Sequence, residues 1–133
     1  MLIKKAVMGV LLLIISSSSH ATCFILDNLS GYQVRHDGIY TLTRSGFSNQ
    51  QFELNIAGEH SSVSPPETSC NQTGPYAVSC WYGGIEFNGR VVVETYSIDL
   101  EAMRVIHTRS TNTNGKYDGG NLFVGDVVGK CSP

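Results

Sequence analysis

From Thr22 to Pro133 no stretch repeats its apolar residues at the three- and four-residue spacing of a helix. Short runs rich in Val, Ile, Tyr, Phe and Thr are instead punctuated by Gly, by Asn88-Gly89 and Asn114-Gly115, and by Asp37-Gly38 and Asp118-Gly119. That pattern predicts an all-β chain, with strands near 23–27, 31–36, 39–44, 50–57, 75–82, 84–88, 90–98, 103–110 and 121–128. Ser61 to Thr73, with Pro65, Pro66 and several Ser and Thr residues, reads as one long irregular loop. A chain of 133 residues with no internal repeat leaves room for a single domain.

The first twenty-one residues stand apart. Lys4 and Lys5 supply a positive start, Ala6 to Ile15 an apolar run of ten, and Ser16 to Ala21 a small-residue end. This reads as a secretory signal peptide over 1–21, cut after Ala21, since ten apolar residues are too few for the ~20 that cross a bilayer. Cys23 follows His20, Ala21 and Thr22, a poor lipoprotein box. The expected product is an exported single domain over 22–133, periplasmic or extracellular, with no membrane span. Without Lys4 and Lys5 it carries seven basic and eleven acidic side chains, a formal charge of −4. Such sparse, acid-leaning charge cannot build the basic face that a nucleic-acid backbone requires.

All four cysteines lie after the leader, and an even count in an exported chain of this size predicts two disulfides. Of the three pairings, Cys70–Cys80 and Cys23–Cys131 are favoured. The first brackets the turn residues Asn71 to Pro75, and the second ties the two ends of a small domain. A zinc site would need close CxxC pairs, which are absent.

Two turns between Cys80 and Ser110 set testable registers. A two-residue turn at Asn88-Gly89 would place Phe87 opposite Arg90, Ile85 opposite Val92 and Trp81 opposite Tyr96. A four-residue turn at Asp99 to Ala102 would place Ile98 opposite Met103, Tyr96 opposite Val105 and Glu94 opposite His107. One face then gathers Trp81, Ile85, Phe87, Val92, Tyr96, Ile98, Met103 and Val105 as core. The same alternation puts Glu94, His107 and Arg109 on that face. Either they line a wet cavity, or a kink at Gly83-Gly84 turns this end of the sheet outward, the reading a glycine pair favours. Val91, Val93 and Ile106 on the other face suit a barrel or a sandwich.

No motif names a chemistry. His36, His60 and His107 form no close ligand pair, and there is no nucleophile elbow, phosphate loop or nucleotide fingerprint. Arg35-His36-Asp37 beside Gly38 reads as a charged turn. Asn112 to Asn121 is rich in oxygen and glycine but holds a single acid, too few for a calcium loop. Asn28-Leu29-Ser30 and Asn71-Gln72-Thr73 match the glycosylation acceptor pattern, which matters only in a eukaryotic secretory route.

Tyr96-Ser97-Ile98-Asp99-Leu100, Met103 and the closing Gly129-Lys130-Cys131 resemble the lipocalin-like antiparallel meander of small exported bacterial proteins. The resemblance implies an antiparallel barrel-like architecture and no activity. The expectation is therefore a disulfide-stapled antiparallel β-barrel or sandwich that binds a protein or small-ligand partner, without cofactor, metal or catalysis. Tyr76, Trp81, Tyr82 and Tyr117 are the expected contact residues, with Glu94, His107 and Arg109 as a possible polar set, although Trp81 also falls on the core face. Two rivals stand beside it: a small enzyme or toxin working through a Glu94/His107/Arg109 cleft on a sugar or polyanion, and a structural envelope or virulence-associated protein.

Overall fold

The computed structural model describes residues 21–85, 89–113, 115 and 118–133. Most of the expected leader lies outside that range, as do Phe87 and Tyr117. Nine strands follow one another: β1 Thr22–Arg35, β2 Thr43–Gly46, β3 Phe52–Ile56, β4 Ser61–Ser64, β5 Thr68–Gly74, β6 Ala77–Gly83, β7 Val91–Asp99, β8 Arg104–Asn112 and β9 Gly119–Cys131. All pair antiparallel in the order β2-β1-β3-β4-β5-β6-β7-β8-β9, and β9 returns to β1. The result is a closed eight-strand barrel, with β2 as an extra strand beside the far half of β1. Closure removes the exposed edges that an open sheet of this length would present.

β1 is the seam. Its start, Thr22 to Leu26, pairs with β3, while register shifts after Ile25 and after Asp27 keep it in step with the long β9. Gly31 sits where the two strands press together: a Cβ there would lie 2.2 Å from the Leu122 carbonyl oxygen. Both expected disulfides are present, and each joins residues that face one another across neighbouring strands: Cys23–Cys131 on β1 and β9, Cys70–Cys80 on β5 and β6. Two disulfides belong to an environment outside the reducing cytoplasm. Among the described residues no helix is long and apolar enough to cross a membrane.

Inside the barrel Phe24, Leu26, Leu29, Phe52, Leu54, Val78, Tyr96, Val105 and Phe123 form the core. Eight strands enclose a space that side chains can fill or that can hold one small ligand.

Several sequence expectations are corrected. Ser61 to Thr73 is no loop: it holds β4 and most of β5, folded back at Pro65 to Glu67, because Val63 and Cys70 alternate inward like any strand residues. The strand expected at 31–36 is the continuation of β1, and that at 39–44 shrinks to β2. No strand begins at Gly84. The hairpin there closes at Gly83↔Val91, and Gly84, at φ 110, donates its N–H to the Arg90 carbonyl. Asn88 lies outside the described residues, but the strands part at Gly83 and Val91, and Trp81 pairs with Val93 rather than Tyr96. That slip of three residues is odd, so it reverses the face: Trp81 is 70% exposed and Ile85 97%.

The next hairpin slips by two. Asp99 stays in the ladder opposite Arg104, since its Oδ1 accepts from the Glu101 and Ala102 N–H groups and so caps the turn. Met103 moves out of the core into that turn, and Glu94 faces Arg109 instead of His107. An even slip preserves the face, so Val92, Glu94, Tyr96, Ile98, Val105 and His107 all remain inside.

Candidate functional site

Where β6 and β8 finish, the inward positions turn polar. Tyr82 comes from β6, Glu94 and Tyr96 from β7, His107 and Arg109 from β8, and Asn121 from β9. The outward kink at Gly83-Gly84 does not occur: Glu94 is 8% exposed and His107 fully buried. Glu94 Oε1 lies 3.4 Å from His107 Nε2 and 3.7 Å from Arg109 Nε. On the far side of the imidazole, Asn121 Nδ2 donates to Nδ1 at 3.1 Å. In the neutral ring Nε2 then carries the hydrogen and points it at the carboxylate. Tyr96 lies against the ring at 4.6 Å between centroids, with Phe47 and Phe123 at its edges.

Glu94, Tyr82, Tyr96 and Arg109 also line a cavity of about 280 Å³, whose remaining wall is Phe47, Gln50, Phe52, Val63, Thr68 and the Pro65-Pro66 turn. His107 lies behind this wall rather than in it. With both ring nitrogens engaged, it positions Glu94 from behind the cavity wall. Arg109 reaches across with its Nη2, which donates to the Tyr82 hydroxyl at 3.4 Å. Its buried Nε finds no hydrogen-bond acceptor among the described residues.

The other predicted contact residues disperse. Trp81 points outward from the strand that sends Tyr82 inward, and Tyr76 packs edge-on against Phe24 at 6.3 Å. Phe47, Asn121 and the proline turn were missed. Phe47 sits in a connection with no strand period, whereas Asn121 was findable, as an inward position once β9 is placed against β8. In the Asn112 to Asn121 segment, Asp118 spends its carboxylate on the Thr113 N–H and hydroxyl, which hold its pKa below the usual carboxylate range. Glu53 lies near Cys23 and Cys131, but those sulfurs are joined to one another and offer no thiolate.

Burial raises the phenol pKa of Tyr96 far above its ordinary value, and the Glu94 charge adds to this; the same two causes, in the same order, raise Tyr82, opposed by Arg109 and Arg90. Such groups favour the fold while neutral. The stability they confer is whole below the unfolded phenol value of about 10 and is lost progressively as pH rises above it. A Tyr96→Phe chain is therefore expected to lose less stability between neutral and strongly alkaline pH than the parent, as measured by denaturant midpoints. Parallel pH curves for the two chains would show that Tyr96 ionises freely in the fold.

Comparison of the chain with protein-family models, with curated proteins and with solved structures returned no match.

Proposed function

We propose that the chain is an exported binding module, periplasmic or extracellular, which holds a small ligand in the cavity at the open end of its barrel. One observation carries this reading: the buried Arg109 Nε at the Glu94–Tyr82–Tyr96 wall lacks a hydrogen-bond acceptor, and a buried donor left so costs about 1–3 kcal/mol. A ligand acceptor seated against Phe47, Phe52 and Val63 would satisfy it while burying apolar surface. The ligand class that fits is a small, mainly apolar molecule with one acceptor directed at Arg109.

The neutral dye N-phenylnaphthylamine tests the apolar part of the cavity. Saturable fluorescence enhancement is expected with the parent, and its loss with Thr68→Phe, which fills the cavity from its rim. No saturable enhancement, or an equal enhancement with Thr68→Phe, would overturn the reading.

A protein partner is the second reading, favoured by Trp81, which stands 70% exposed directly beside Val93 on the outer face. Capture of a defined partner that depends on Trp81, with no dye binding in the barrel, would favour it over the first.

A further inference from the structure

Two groups of opposite hydrogen-bonding character share one wall of the cavity of about 280 Å³. Glu94 and Arg109 face one another across β7 and β8, and Oε1 and Nε stand 3.7 Å apart, too far for a hydrogen bond. Oε1 is turned to His107 Nε2 at 3.4 Å. Oε2 accepts no hydrogen bond from any described residue, yet packing does not shut it in, so it opens on the cavity that Glu94 lines. Arg109 sends Nη2 to the Tyr82 hydroxyl and leaves Nε with no acceptor. An acceptor in need of a donor thus lies beside a donor in need of an acceptor. Around them stand the rings of Phe47, Phe52, Tyr82 and Tyr96, with Phe47 and Phe52 packed edge-on at 5.1 Å.

Charge decides what this pair can receive. A lone cation would suit Glu94 and the rings but would meet the Arg109 guanidinium, while a lone anion would suit Arg109 but would meet the buried carboxylate. With one charge already set against the other, the wall favours a ligand without net charge. Such a ligand must bring a donor for Oε2 and an acceptor for Nε from neighbouring atoms. Given that the cavity holds a ligand at all, we propose that it takes an unsaturated ring bearing a primary carboxamide or a cyclic amide. In both groups an N–H and the C=O lie on one edge, so a single flat group answers both residues, through hydrogen bonds strengthened by their charges. An ordinary trans amide, the peptide bond included, points its N–H and C=O to opposite edges and answers only one. The ring packs against Phe47 and Phe52.

The test titrates the oxidised protein by calorimetry with uncharged probes. Benzamide and 1-isoquinolone carry the one-edged amide, whereas N-methylbenzamide and acetophenone keep the ring and carbonyl but offer no donor on that edge. Saturable binding is expected for the first two, with the other two weaker by roughly tenfold, the effect of one unmet hydrogen bond. Thr68→Phe, which fills the cavity, is expected to abolish benzamide binding. In Glu94→Gln the side-chain oxygen stays with the His107 N–H and the new amide nitrogen faces the cavity. Benzamide is then expected to bind no better than N-methylbenzamide, while N-phenylnaphthylamine still binds. Equal binding of benzamide and N-methylbenzamide by the parent, or benzamide binding that survives in Thr68→Phe, would overturn the proposal. Failure of benzamide to saturate where the dye does would overturn it and leave the apolar cavity standing, whereas failure of the dye as well would overturn both. If Glu94→Gln does not fold, the ranking of the probes on the parent decides the matter alone.

Discussion

A chain with Cys23→Ala and Cys131→Ala is expected to lose about 4.7 kcal/mol of unfolding free energy, against about 3 kcal/mol or slightly less for Cys70→Ala with Cys80→Ala. The difference follows from the loops the two bonds close, 108 and 10 residues in sequence separation. It also follows from place. Cys23–Cys131 fastens β1 to β9, the pairing that turns a sheet into a barrel, so its removal frees the two edges that closure otherwise hides. Cys70–Cys80 fastens a hairpin that its own short connection already holds together. Denaturant unfolding of the two double variants measures both losses. A larger loss for Cys70 and Cys80 would show that their buried sulfur packing outweighs loop closure, since both lie deep in the core. The larger loss is near the whole stability of many small domains, so this variant is also expected to collect as aggregates on expression.

Much of the architecture is legible in the chain because it rests on local signals. Alternation in Val91 to Asp99 and Arg104 to Asn112 declares two strands, and the cysteine pairing follows from a turn and two ends. What fails is the position of turns. Asn88-Gly89 has the composition of a two-residue turn, but Gly83 and Gly84 upstream let the chain leave the ladder earlier, and the odd slip sends Trp81 out. Asp99 looks like a turn residue and is one only through its side chain, while its backbone stays paired; the resulting even slip does no harm to the faces. Pro65 and Pro66 suggest a break where they mark only a tight reversal between two strands. The grouping of Glu94, His107 and Arg109 is legible for the same reason, parity, whereas their partners Asn121 and Phe47 come from distant segments that no local rule connects.

Removing the guanidinium from the barrel interior is the change with the next largest expected effect. Glu94 is buried, and two cationic or hydrogen-bearing neighbours face the same oxygen: His107 Nε2 and Arg109 Nε. Arg109→Met keeps the apolar stem but leaves the carboxylate facing only the imidazole and, through the cavity, water. Breaking one partner of a buried pair costs ~3–5 kcal/mol; the Arg109 side chain is 30% exposed, so the expected loss lies at the lower end, about 3 kcal/mol. Glu94→Gln alone removes the charge that balances Arg109 but retains an acceptor for His107, and is expected to cost less. The double variant Glu94→Gln with Arg109→Met removes both charges together, so its loss is expected to fall short of the summed single losses by roughly 1–2 kcal/mol, the coupling usual for side chains in contact. Urea unfolding of the four chains closes the cycle. Strictly additive losses would mean that the 3.7 Å pair carries no interaction of its own, and that Arg109 is held by Tyr82 and solvent alone.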